Sequence, residues 1–324
     1  MPAITKPNQH FNATLYTGTG TNAVGITGVG FQTDFNWTKS RSSASYTHQL
    51  SDSVRGFSKY LYSSATNAEG TDASNHIQSV NSDGYVINSG ASFNASGVTF
   101  VSWNWKASNA AAVTNTSGTI TSSVSANPTA GFSVVTWTGA GSVGTIGHGL
   151  GVTPSMIIIK NRSGTQFWFV NHTSISATQN LYLNATDGTQ SDGVFTSRGA
   201  TTFGVGTSVA DSGINYVAYC FAPVAGYSAI GSYTGNGSSD GVFVYLGFRA
   251  RFIMIKSTST GGWVMLDTSR DTYNDVDNYL YANSTAADAG SSNVLDINSN
   301  GFKIRNSWTD INGNGTTYIY MAFA

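Results

Sequence analysis

The sequence predicts an all-β fold on three observations. Hydrophobic residues make up 40% of the chain and aromatic ones 12%, and they fall in short alternating runs. The polar remainder is mostly Gly, Ser, Thr and Asn, which favour turns and strand surfaces over helices. No window carries a sustained 3.6-residue apolar period.

The elements follow from a landmark that occurs three times. A glycine is followed nine residues later by a lysine at Gly30/Lys39, Gly151/Lys160 and Gly247/Lys256, with an apolar run leading into each lysine. The runs at 155–160 and 251–256 are apolar on both faces, which predicts central strands. The counterpart at 34–39 alternates Phe35 and Trp37 with Asn36 and Thr38, so one of its faces is expected to be wet. A charge at the end of a sticky strand reads as a gatekeeper against edge pairing.

Upstream of each landmark stands a Thr-Gly-x-Gly turn, at residues 17–20, 138–141 and 234–237. Downstream comes a second strand, clearest at 166–170 and 262–266, then a Leu-Tyr pair at 61–62, 181–182 and 280–281. Each set closes on an aromatic alternation, ending at Trp105, Phe221 and Phe323. The same landmarks in one order predict three tandem homologous β-sandwich units, jelly-roll-like at their simplest, of roughly 95 residues each. The expected boundaries are 1–107, 131–224 and 225–324. Residues 108–130, rich in Ser, Thr, Asn and Ala, read as a linker with one edge strand near 119–124. Whether the units form a row or surround a pseudo-threefold axis stays open.

Charged residues are only 10% of the chain, 15 basic and 16 acidic, scattered singly for a net charge of -1. A reader of nucleic-acid phosphates needs clustered Lys and Arg, so no nucleic-acid partner is expected. No run is long and apolar enough for a membrane-spanning helix, and the opening residues have no charged stretch followed by an apolar one, so no secretory leader is expected. The lone cysteine, Cys220, lies in an apolar run and reads as a small core residue.

Few residues suggest chemistry. The five histidines are dispersed without metal-ligand spacing, so no metal and no cofactor is expected. His148, between Gly147 and Gly149, is the one expected to be exposed, and it is a candidate ligand-binding residue. Trp308, in the polar loop 306–310, is the best candidate for an exposed sugar-stacking ring. Trp168 and Trp263, at matching strand positions, read as core. An Asp-x-x-Arg motif occurs at Asp52/Arg55 and at Asp267/Arg270, where the middle unit has His172 and Ile175. It reads as a local ion pair or an Asp-capped turn, with a polar recognition pair or half of a carboxylate dyad as the functional alternative.

The stretches 31–39, 52–56, 103–107, 147–152 and 318–323 together resemble a repeated, uncharacterised domain of virion structural proteins of marine tailed bacteriophages. The resemblance spans nearly the whole chain. It implies a β-rich, tail-fibre-like virion component on the particle surface, made in the host cytoplasm, and supplies no catalytic residues. In that family the domain often follows a concanavalin-like module, and the chain opens directly on its first unit. The function expected is therefore non-enzymatic: a fibre, spike or appendage subunit that assembles as a homo-oligomer with other virion proteins. A host-surface glycan-binding module and a capsid-decorating protein are the alternatives.

Overall fold

The computed structural model describes residues 4–324, and among them the strands are joined by turns, two one-turn α-helices, Ala91–Asn94 and Thr309–Asn312, and two short 3-10 helices, Pro7–Gln9 and Thr207–Val209. The chain is all-β. One strand order occurs in three of its sheets. Phe11–Thr17, Thr99–Trp105, Phe35–Ser40 and Gln49–Asp52 lie side by side in a four-stranded antiparallel sheet. Phe132–Thr138, Asn215–Phe221, Met156–Asn161 and Phe169–His172 follow the same order within a seven-stranded sheet. Ser228–Thr234, Thr317–Phe323, Phe252–Ser257 and Trp263–Asp267 do so within an eight-stranded one. The register matches as well: Phe35 faces Trp105, Met156 faces Phe221 and Phe252 faces Phe323. Lys39, Lys160 and Lys256 accordingly stand opposite Val101, Val217 and Ile319.

Each of these four-strand sets is covered on its outer face by three strands, which form separate sheets in the first two cases and the folded-over end of the eight-stranded sheet in the third. They are Val24–Ile26, Gly84–Ile87 and Ile77–Asn81; then Gly144–Gly147, Thr202–Val205 and Phe195–Arg198; then Phe243–Tyr245, Gly301–Ile304 and Ala289–Asn298. The period-2 alternation of a strand divides its side chains between two cores. Ile157 and Ile159 point outward to Phe195 and Phe203, and Ile253 and Ile255 to Leu295 and Phe302. Met156 and Ile158 point inward, as do Phe35, Trp37, Trp105, Phe252, Met254 and Phe323, and these residues share one central core. At its middle Phe11 lies 5.1 Å from Phe323, Trp105 5.9 Å from Phe252, and Phe221 6.0 Å from Phe323. Three sheets thus surround one axis, which is why a strand between them is apolar on both faces.

Two expectations are corrected. Asn36 and Thr38 are buried, not wet. Their face looks onto the outer strands, where Asn36 donates to Asn104 at 2.9 Å, Thr38 donates to Asn36 at 2.8 Å, and Tyr85 donates to Ser102 at 2.8 Å. A buried polar group is tolerated when it is hydrogen-bonded, and this layer is a polar network in place of isoleucines. Residues 108–130 are not simply a linker. Val113–Asn115 and Ser122–Asn127 are strands, the latter paired along Phe132–Thr138. Between them Ile120 bridges Ile146 in parallel and its N–H donates to Thr145 O at 3.0 Å, closing the edge of Gly144–Gly147. Ser- and Thr-rich composition hid the apolar alternation of Ile120 and Val124, both buried.

Candidate functional site

The polar residues of interest gather where one sheet meets the next. At the first junction Asp52 caps its own turn, its Oδ1 accepting from the N–H groups of Val54 at 3.1 Å and Arg55 at 2.8 Å. Arg55 Nε donates to Asp52 Oδ2 at 2.5 Å, and both side chains are sealed from solvent. The guanidinium also donates to Leu50 O, Tyr219 Oη and Glu69 Oε2 at 2.9, 3.0 and 2.9 Å. Glu69 accepts in turn from Arg162 Nε and Nη2, each at 2.9 Å. The Tyr219 hydroxyl completes the cluster by donating to Asp52 Oδ2 at 2.9 Å. Burial opposes the charge on Glu69, but the hydrogen bonds and charges of Arg162 and Arg55 outweigh it and lower its pKa.

A second junction repeats this construction. Asp267 Oδ1 accepts from Arg270 N at 2.9 Å, and Arg270 Nε donates to Asp267 Oδ2 at 2.7 Å. Arg270 Nη1 and Arg41 Nε both donate to Asp288, at 2.7 Å each. Here Trp103 Nε1 takes the place of the tyrosine, donating to Asp267 Oδ2 at 3.0 Å. The third junction has no such charges. His172 Nδ1 accepts from Ser174 N at 3.0 Å, which leaves Nε2 to donate to Tyr320 O at 3.3 Å. Burial pulls this imidazole down to about 4. Arg41 and Arg162 each stand two residues past a landmark lysine, a spacing that marks them in the sequence; Glu69 and Asp288 carry no such mark.

The landmark lysines are not gatekeepers. All three are buried, and each ammonium donates to the next residue's carbonyl and to one in the following turn. The acceptors are Ser40 O at 2.7 Å and Ser43 O at 3.3 Å, Asn161 O at 2.7 Å and Gly164 O at 3.3 Å, and Ser257 O at 2.6 Å and Ser259 O at 2.8 Å. The long side chain turns back under its own hairpin because carbonyls there need donors. Burial lowers each lysine to about 8. The landmark glycines Gly30, Gly151 and Gly247 share a left-handed φ of 84°, 73° and 82°, which glycine adopts without strain.

His148 is buried, contrary to the exposure expected of it. Its Nδ1 accepts from Leu150 N at 3.2 Å and its Nε2 donates to Gly199 O at 3.1 Å, so the flanking glycines tighten a turn around a pinned ring. Cys220 is buried too, and burial pushes its thiol up to about 12. Trp308 is half-buried, its ring 4.7 Å from Tyr279 and 6.1 Å from Tyr281. Among the described residues no group of three or more His, Cys, Asp or Glu is placed to hold a metal ion.

Beside Trp308 lies a cleft of about 500 Å³ at the third junction, lined by Thr186, Thr260, Gly262, Tyr281, Asn283 and Asp310 among others. The Tyr281 hydroxyl donates to Asp310 Oδ2 at 2.7 Å, and Asn283 Oδ1 accepts from Trp263 N at 2.8 Å. A family model described as a domain of unknown function, DUF7483, matches residues 6–324. No curated protein matches the chain.

Proposed function

The chain belongs to the DUF7483 family, whose description leaves the activity open, and from that premise we propose that it is a non-enzymatic structural subunit of a bacteriophage particle. In this reading one β-sandwich unit was copied twice, and the product serves as a fibre, spike or appendage on the particle surface. One observation carries the proposal: Asp52, Arg55, Asp267 and Arg270 are sealed at junctions, where they hold sheets together and cannot meet a substrate. Homo-oligomeric assembly is part of the same reading. Phe243 and Tyr245 stand exposed on an edge strand, the sort of surface that neighbouring copies cover. The test is light scattering on the purified chain, with electron microscopy of labelled particles. Oligomers and particle-borne label are the expected results, whereas a monodisperse monomer at high concentration that never associates with particles removes the proposal.

A second reading, a module that binds host-surface glycans, is favoured by the cleft beside Trp308. It joins the Tyr281 ring to a carboxylate and an amide, the mixture that sugars require. A glycan array tests it, and silence across the array counts against it.

A further inference from the structure

Although their charges differ, the first and third junctions share one pattern of tryptophan and backbone hydrogen bonds. Trp168 Nε1 donates to Tyr62 O at 2.8 Å and Trp263 Nε1 to Tyr182 O at 2.7 Å. The N–H of Gln166 meets Thr66 O at 3.0 Å, and that of Gly261 meets Thr186 O at 2.8 Å. Asn184 Oδ1 and Asn283 Oδ1 accept from the backbone N–H groups of Trp168 and Trp263 at 2.8 Å each. Gln166 and Phe167 therefore correspond to Gly261 and Gly262.

At the first junction those two side chains lie over the equivalent position, Gln166 half-buried and Phe167 exposed on one side. Gln166 Nε2 donates to Ser208 O at 2.8 Å, and the Phe167 ring stacks on Tyr182 at 4.2 Å and 16°. At the third both side chains are absent: the Tyr281 ring closes over Gly262, and the 500 Å³ cleft opens beside Gly261, Gly262 and that ring. A β-carbon on Gly262 would lie 2.3 Å from Tyr281 Cε1, so a side chain there would have to displace the ring. The third junction thus carries one ring, Tyr281, where the first stacks two, and lacks the amide that Gln166 places beside it.

The lining says what chemistry enters. Tyr281 offers a ring as one wall. Asp310 Oδ1 and Asn283 Nδ2 have no hydrogen-bond partner among the described residues, while Thr186, Thr260 and Thr309 add hydroxyls. The nearby Lys256 ammonium is spent on Ser257 O, Ser259 O and Thr186 O. A carboxylate with no free cation repels phosphate and sulfate, and the polar rim disfavours a lipid. A neutral pyranose fits: its C–H face lies on an aromatic ring, and its hydroxyls donate to a carboxylate and accept from an amide. We propose that the cleft between Thr186 and Asp310 binds one neutral pyranose residue of a glycan. The inference rests on the glycan-binding reading and assigns its site to Tyr281, Asn283 and Asp310.

Saturation-transfer NMR on the full chain tests it, with methyl glycosides of glucose, galactose, mannose and N-acetylglucosamine as probes. At least one glycoside is expected to bind with Kd on the order of 1 mM. Asp310→Ala and Asn283→Ala should each weaken it at least about tenfold. Gly261→Gln, which installs the amide of the first junction, should block the cleft; its β-carbon would sit 3.1 Å from Asp310 Oδ1, so a circular dichroism melt establishes that the variant is folded. If Asp310→Ala fails to fold, Asp310→Asn and Gly261→Gln carry the test. Binding that survives all of these folded variants but is lost in Trp308→Ala overturns this site and leaves the glycan reading standing. No binding of any probe overturns both.

Discussion

Arg55 shows how much one side chain can hold at a sealed junction. It neutralises Asp52, meets Glu69 and Tyr219, and satisfies Leu50 O. Arg55→Met leaves the Asp52 carboxylate buried without its partner, which costs about 3–5 kcal/mol of stability. Urea denaturation measures this, and a loss below about 1 kcal/mol would mean that water reaches the carboxylate. The lysines give a pH signature. Their folded pKa of about 8 lies below the ordinary 10.5, so between those values the unfolded chain binds more protons than the folded one. Stability therefore climbs as pH rises through that window, and the cost of burying the ammonium is complete below about pH 8. Lys160→Met should remove roughly one third of the climb, read from thermal melts across the window. The Asp-x-x-Arg turn is legible in sequence because Asp at one position can reach the N–H and guanidinium three residues on. Its wider cluster is not, since Glu69 and Arg162 meet only after the sheets have assembled.

At the scale of the element, a strand is told from a linker by what it lies beside. Residues 113–127 carry hydroxyls where a strand usually carries larger side chains, yet Ser122 Oγ donates to Gly147 O at 2.8 Å and Ile120 covers an edge. Ile120→Pro removes the N–H that meets Thr145 O, a loss of about 1 kcal/mol. Faster hydrogen exchange confined to residues 144–147 is the expected readout, and unchanged exchange there would show that the edge needs no cover. The glycine-to-lysine strands were easier to read. Apolar residues on both faces demand cover on both sides, and the structure supplies it. In Phe35–Ser40 the alternation misleads, because hydrogen-bonded Asn and Thr line a buried face as well as a wet one.

For the whole molecule, the decisive feature is that three sheets bury their inner faces together. Phe11, Phe35, Trp37, Trp103 and Trp105 face residues from beyond position 130. Cut out alone, residues 1–107 would expose that aromatic face to water, and such a fragment should remain unfolded by circular dichroism. The intact chain should melt in a single calorimetric transition whose van't Hoff and calorimetric enthalpies agree. Separate transitions would mean that the central core contributes little beyond the outer ones.

By itself the sequence determined the strand class, the places of the turns and the recurrence of its landmarks. These depend on backbone preference and on a period of two, both of which are local. Only the tertiary structure decided that the sheets surround one axis, that the lysines and His148 are buried, and that a cleft lies beside Gly261 and Gly262, where the first junction carries Gln166 and Phe167. Those facts arise between residues far apart in the chain, where burial and partner are set by what the neighbouring sheet presents.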